Sequence, residues 1–433
     1  LPVYNVVTDY GAVNSGAPGA EDATVKINQA ISDAAAGTAN GDGGIVFLPV
    51  GIYKIGTDAS SGNPLSLALK SNVRIVGEVA QNNSGVILKP DHGETHVPVF
   101  TYVTTGVNIT GWSIENIAID FSNCTTGGAP SSTHTGDIGI NISGCYLYDI
   151  QNVSVFHAHQ AYKAFSTVIS GDGKTCFMGT VRKLYAKQCR NGIHHDQGTT
   201  MTLDNCWVNA HVGSDPLNSA YWELGWHLGT IYGVTLTSCV LEKWKSGSGT
   251  PTGFYAEHCR GLVINGIDVE HNDTNGAHLF VLNDCDVSLN AFRTANNIVR
   301  CANGALSSLV KAHSCSLSIN GSSFGGTPSS GELDDAVGGN AGSVAAALYL
   351  TSDTLTSAVA VHGCRIGSPA DPNSSFLGTR AGLWNTADAF LDSLSVLGTN
   401  GLRRPHQRQP ATVHPRPRRN SPTAPAHLGI QRS

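Results

Sequence analysis

Three short segments in the middle of the chain carry carboxylates, imidazoles and phenols at matching positions: Gly192-Ile-His-His-Asp196, Ala220-Tyr-Trp-Glu223 and Gly253-Phe-Tyr-Ala-Glu257. Successive side chains of a strand point to opposite faces. With Ile193 and Phe254 directed inward, His194 and Asp196 face outward on one segment and Tyr255 and Glu257 on another. Taking Trp222 as the inward residue of the middle segment adds Tyr221 and Glu223. If the three segments stack as neighbouring parallel strands, Asp196, Glu223 and Glu257 form an acidic column beside His194, Tyr221 and Tyr255. Adjacent carboxylates would then stand roughly 5 Å apart and the outer two about 10 Å. Those spacings bracket the two geometries of glycosidic-bond hydrolysis: ~5–5.5 Å for a nucleophile with an acid, and ~6.5–9.5 Å for an acid and a base with water between them. Like charges so close also raise one pKa and leave a neutral acid beside an ionised partner. The middle segment is the sensitive one, because a one-residue slip turns Glu223 inward.

Aromatic residues collect around these segments. Trp207, Trp222, Trp226, Tyr232 and Trp244 fall within a short span, in a chain with only 6 Trp. Sugar rings present apolar faces that stack on such side chains, so Tyr221, Trp222, Trp226, Trp244, Lys245 and His258 are the expected substrate-binding residues. An eliminating enzyme would use the same region differently. It would need a base such as His194, Tyr221, Tyr255 or Lys245, with Lys243, Lys245 and Arg260 neutralising a uronate carboxyl.

Seven histidines, His194, His195, His211, His227, His258, His271 and His278, lie in the same region. None forms a His-x-x-x-His pair, and the neighbours His194 and His195 point to opposite faces of a strand. Asp268, Glu270 and Asp273 supply only part of a calcium site. No metal and no cofactor is expected.

The elements that must hold these residues are repetitive. The segments beginning Met201-Thr-Leu-Asp-Asn-Cys, Val234-Thr-Leu-Thr-Ser-Cys, Leu262-Val-Ile-Asn-Gly-Ile, Leu317-Ser-Ile-Asn-Gly-Ser and Val359-Ala-Val-His-Gly-Cys share one template. Apolar and polar residues alternate, which is a strand signal, and a small or amide residue then makes a sharp bend. No amphipathic helix fills the gaps between repeats, so each repeat reads as one coil of a solenoid that buries its inner face by stacking on its neighbours. The expected fold is all-β, a parallel β-helix of about eight to ten coils. Cys206, Cys239, Cys259, Cys285, Cys315 and Cys364 follow the bends. They read as an inward ladder of small hydrophobes, not as disulfides. Residues 22–36 have apolar residues near helical spacing, at Val25, Ile27, Ala30, Ile31 and Ala34, with Asp22 as N-cap and Gly37 as the stop. This short helix is expected to cap the solenoid end. The β-helix domain is expected over 1–401, with its cap in about 1–60. The Arg- and Pro-rich stretch 402–433 is expected to be a disordered tail.

Composition agrees. The chain of 433 residues has 50 Gly, 2 Met and 13% charged residues, a turn-rich and strand-rich make-up. The net charge of −6 conceals seven Arg and no acid in 403–433, without which it would be −13. A body that acidic disfavours nucleic acid and anionic membranes and favours a neutral or weakly charged polymer as partner. No apolar run reaches the ~18 residues that cross a bilayer, and the start at Leu1 without Met fits a secreted chain whose export signal has been removed.

The opening of the chain resembles a known family. Val6-Val-Thr-Asp-Tyr-Gly-Ala-Val, the acidic Glu21-Asp22 before a helix, and Gly43-Gly-Ile-Val-Phe-Leu-Pro-Val-Gly-Ile-Tyr-Lys-Ile look like the start of the pectate-lyase-like superfamily. That group includes polysaccharide lyases, glycoside hydrolases and phage tailspike depolymerases. The likeness continues more loosely through Leu65-Ser-Leu-Ala-Leu-Lys-Ser-Asn-Val-Arg-Ile-Val-Gly, then as β-helix periodicity to about residue 400. It implies a single right-handed parallel β-helix that acts on or binds a polysaccharide or oligosaccharide, and it admits a homotrimer of the tailspike kind. It does not give the reaction. The central coils hold no adjacent Asp-Asp pair, no Gly-His-Gly and no Asp-Pro-His. Hydrolysis or a related glycosyl transfer by a pair of carboxylates is the leading expectation. A polysaccharide lyase and a non-catalytic glycan-binding solenoid stand as alternatives.

Overall fold

The computed structural model describes residues 1–397 except 17–19, 38–41, 58–62, 80–84, 92–95, 105, 126–129, 131–132, 168–173, 210–223, 245–252, 276–277, 296, 301–305, 325–332, 335–343, 352–356, 367–380 and 386–390. The tail expected over 402–433 lies outside the described residues.

Alternating apolar residues make short strands that turn corners and pair with the strand one coil further along. Leu67–Ala68, Phe100–Tyr102, Ile138–Ile142, Gln160–Ala164, Asn191–Asp204, Trp226–Thr237, Phe254–Glu257, His278–Asn283, Leu306–His313, Val344–Thr351 and Ala381–Asn385 follow one another as parallel neighbours. Parallel pairing with in-register steps along the whole chain is a parallel β-helix. This ladder has eleven levels, more than the eight to ten expected, because steps such as Ile138 to Gln160 and Phe254 to His278 are shorter than the sequence repeats suggested.

The interior is a set of stacks. Ile193, Trp226, Phe254 and Phe280 are in register and almost wholly buried, and Phe254 lies parallel to Phe280 with ring centroids 4.0 Å apart. The described cysteines are buried thiols with no disulfide among them, as the ladder reading requires. Burying small and aromatic side chains in columns satisfies close packing without long-range chain crossings.

The bends are left-handed corners. Asn205, Ser238, Gly266, Ala291, Gly321 and Gly363 have φ between 49° and 68°. The first five donate their amides to Thr237, Asn265, Asn290, Asn320 and His362 of the next coil at 2.8–3.0 Å. Small and amide residues appear there because they tolerate this conformation. Outside the corners, Asn320 donates to Asn290, and Asn290 to Asn265, each at 2.9 Å.

The helix runs Thr24–Ala36 and buries Thr24, Ile27, Ala30, Ile31 and Ala34 against the first coils. Two details differ from the expectation. Ala23 is the N-cap, while Asp22 accepts from the Thr24 amide at 2.8 Å and also from Thr57, so it ties the helix start to the following strand. Val25 is 44% exposed, because it lies off the face that Ile27, Ile31 and Ala34 turn inward. Asn28 donates to the Ser66 carbonyl and accepts from the Ala68 amide, fixing the helix on the edge strand.

Candidate active site

The middle level of the predicted column is strand Trp226–Thr237, not the 220–223 segment. Pairing aligns Ile193, Trp226 and Phe254 inward and places His194, His227 and Tyr255 side by side outward. Two residues on, Asp196, Gly229, Glu257 and Asn283 form the second outward column. Lys163 precedes His194 in the first column.

Glycine fixes this register. Gly192, Gly225 and Gly253 each stand one residue before the inward Ile193, Trp226 and Phe254, and a Cβ on Gly192 would lie 2.2 Å from the Gly225 carbonyl oxygen, one on Gly225 2.5 Å from that of Gly253. Only glycine fits that stack. The same spacing marks Gly225-Trp-His-Leu-Gly229 as the equivalent of Gly192-Ile-His-His-Asp196 and Gly253-Phe-Tyr-Ala-Glu257. His227 and Gly229 were therefore legible in the glycines, although the carboxylate of Glu223 drew the eye elsewhere.

The side chains converge. His227 Nε2 lies 3.3 Å from Glu257 Oε1, and the Tyr255 hydroxyl donates to Glu257 Oε2 at 2.9 Å. The rings of His194 and His227 are 4.3 Å apart, and those of His227 and Tyr255 5.4 Å. Gly229 leaves room that Asp196 occupies: a Cβ there would come within 2.5 Å of Asp196 Oδ1. Asp196 thus leans along the column towards Glu257.

Burial raises the Asp196 pKa; the charge of Glu257 adds to this, while His227 opposes it. Glu257 has a phenol and an imidazole to hold its charge. Tyr255 is pushed up by burial and by its bond to Glu257, so it stays a neutral donor. His194 falls to about 3, first through burial and then through the neighbouring His227 and Lys163. It is a neutral imidazole near neutral pH.

Tyr221, Trp222, Glu223 and Lys245 lie outside the described residues. Trp226 and Trp244 are corrected: both are core residues, exposed by 0% and 2%, and no sugar can stack on them. Trp226 is the inward residue of its strand, and Trp244 turns into the core after the left-handed corner at Lys243, with its amide donating to Asn272 Oδ1 at 2.8 Å. His258 is at a left-handed corner with φ 53°, 2.9 Å from Asp284, and is not brought to the columns. Arg260 also pairs with Asp284 and Lys243 with Glu242, so neither cation faces the site. Of the aromatic cluster, Trp207 and Tyr232 are exposed. Trp207 lies against Tyr185 with the rings tilted by 34° and centroids 4.9 Å apart, and donates to Glu242 at 3.1 Å.

Among the described residues, two groups have metal-ligand geometry: His96 with Cys124 and Asp137, and Glu242 with Glu270 and His271. Neither includes a residue of the two columns.

No protein-family model matches the chain, and no curated protein matches it at a significant level. Solved structures do. A mutant DFA-IIIase from Arthrobacter chlorophenolicus is 13% identical, with 92% of this chain and 94% of that one aligned at a TM-score of 0.55. The same enzyme in complex with DFA-III aligns over 86% of both chains at 13% identity and a TM-score of 0.53. Gene product 12 of bacteriophage phi29 is 11% identical, with 91% of this chain matching 52% of that one at a TM-score of 0.52. These likenesses show the fold: a right-handed parallel β-helix.

Proposed function

We propose that the chain is a glycoside hydrolase that cleaves a neutral or weakly charged polysaccharide or oligosaccharide with Asp196 as general acid and Glu257 as general base. The observation that carries this is the pair itself: two carboxylates on one outward column, two strand spacings apart, with Gly229 between them and opposite environments around them. Two parallel-strand steps amount to roughly 10 Å between backbones. The lean of Asp196 over Gly229 shortens that between carboxyl groups, towards the ~6.5–9.5 Å that leaves room for a water beside the sugar. Asp196, favoured in its protonated form, gives its proton to the leaving oxygen. Glu257, held by Tyr255 and His227, takes a proton from water as it attacks the anomeric carbon from the opposite face. The product anomer is inverted.

A lyase would need cations on the columns to hold a uronate. Arg260 and Lys243 are bound to acids elsewhere, and Lys163 is the cation beside His194 in the first column; the paired carboxylates of the second column are what favour hydrolysis. The neighbour complexed with DFA-III supports a carbohydrate ligand on this fold. Secretion and a homotrimer complete the reading, the second checked by sedimentation of the purified chain.

The test is hydrolysis of a panel of neutral and uronic-acid glycans by wild type, Asp196→Asn and Glu257→Gln. Loss in both variants, with unchanged circular dichroism, supports the assignment. Full activity in either one removes that residue from the chemistry.

A further inference from the structure

We propose that His96, Cys124 and Asp137 form a binding site for a zinc-class divalent metal that pins three loops together at the edge of the solenoid. A ring nitrogen of His96, Sγ of Cys124 and a carboxylate oxygen of Asp137 all lie within 4.8 Å of one another. Three points that close leave a centre at most about 2.8 Å from each, roughly 0.5–0.8 Å beyond the ~2.0–2.3 Å of zinc bonds to sulfur, nitrogen and oxygen, a gap that small side-chain rotations close. An imidazole, a thiolate and a carboxylate are a zinc-type ligand set.

The local structure brings the three together from separate segments. His96 precedes strand Phe100–Tyr102, Cys124 ends the short helical turn Phe121–Cys124, and Asp137 immediately precedes strand Ile138–Ile142. The side chains of His96 and Asp137 are 7% and 3% exposed, with Nδ1 to Oδ1 at 2.6 Å. Cys124 is buried and its thiol donates to the Pro90 carbonyl at 3.5 Å. Gly136 permits the approach, since a Cβ there would lie 2.1 Å from the His96 carbonyl oxygen. His134 stacks on His96 with ring centroids 3.8 Å apart, and its Nδ1 is 3.8 Å from Asp137 Oδ2. Its Nδ1 is also 3.1 Å from the Cys124 carbonyl oxygen, so the stacked ring covers the site and is not one of its ligands.

Binding would release the thiol proton and join the thiolate to the metal, with no change in oxidation state. The site connects by hydrogen bonds to the strand that carries His194. The Asp137 carbonyl accepts from the Gln160 amide at 3.1 Å, and Gln160 Nε2 donates to the Gly192 carbonyl at 2.7 Å, two residues before His194.

Cobalt(II) titration of the metal-stripped full chain tests the site. We expect one equivalent to bind with thiolate-to-cobalt charge-transfer absorption. That absorption should vanish in Cys124→Ser, persist in the distant Cys259→Ser, and need on the order of 10- to 100-fold more cobalt in Asp137→Asn. Circular dichroism of each stripped variant shows whether it has folded. If Cys124→Ser has not, zinc added to the cobalt-loaded wild type takes its place: the band should disappear as zinc displaces cobalt, and a band that survives excess zinc would overturn the proposal. No charge-transfer band in the wild type, or an undiminished one in folded Cys124→Ser, would overturn it as well.

Discussion

Asp196 and Glu257 share one outward column with Gly229 between them, and the carboxylate of Asp196 fills the space that a side chain at 229 would take. An acid that lies over a glycine is free to lean towards its partner, and the lean sets their separation. Gly229→Ala should therefore displace Asp196 without unfolding the coil, because the atom that must move is the end of a flexible side chain. We expect kcat to fall at least tenfold, on the order of 1.4 kcal/mol of transition-state stabilisation or more, with the thermal midpoint little changed. A kcat equal to wild type would show that this separation is not critical.

Removing either acid should be more severe. Asp196→Asn and Glu257→Gln should each lower kcat/KM by about 10²–10⁴, the usual range for general acid or base catalysis. Tyr255→Phe removes only one of the two groups that hold Glu257, so it should lower kcat/KM by less than Glu257→Gln does. Steady-state kinetics on one substrate across pH separates these effects.

The pH dependence follows from Asp196. Its pKa is raised by burial and by Glu257, and the protonated form does the work, so activity should decline as pH rises through that raised value. The stability sign is the same: a raised native pKa contributes stability at low pH that is lost as pH climbs through it. Asp196→Asn should thus be no less stable than wild type at neutral pH, and an alkaline limb that persists unchanged in any residually active Asp196→Asn would exclude Asp196 as its source.

Buried histidines act in the opposite direction. Burial lowers His194 to about 3, and His195 and His278 to about 4, against about 6.5 in an unfolded chain. Their stabilising effect is complete above about pH 6.5 and is lost as pH falls towards those values. The thermal midpoint should therefore fall between about pH 6.5 and 4. His195 is the clearest probe, being wholly inside with Nδ1 3.3 Å from the Tyr162 hydroxyl. His195→Gln should lower the midpoint at pH 7 yet flatten its acid dependence. An equal slope in the two proteins would mean that His195 is protonated without unfolding.

Much of the fold was legible because a solenoid writes its period into the chain. The bends at Asn205, Ser238, Gly266 and Gly321, the inward cysteines and the capping helix all follow from local rules about left-handed corners, alternation and helical spacing. Asp196, Glu257, His194 and Tyr255 were placed outward correctly, since alternation within a strand is a local property. Register between strands is not. The level between them begins at Gly225, and its outward residues are His227 and Gly229, a glycine whose role is to be absent. Trp226 and Trp244 differ from the expectation for a related reason: a tryptophan near a carbohydrate-like site suggests stacking, but the inward phase of its strand makes Trp226 core and the corner at Lys243 turns Trp244 inward. Trp226→Ala should accordingly cost about 3–5 kcal/mol of stability, as large aromatic truncations in cores do, which chemical denaturation would register.

The product of wild-type cleavage tests the central claim most directly. Incubation with neutral and uronic-acid polysaccharides, followed by new reducing ends, by ultraviolet absorbance of unsaturated uronate and by proton NMR of the first anomer released, separates the reactions. Hydrolysis by Asp196 and Glu257 predicts reducing ends of inverted configuration with no unsaturated product. Unsaturated ends, or a retained anomer, would contradict an acid and base acting across a water.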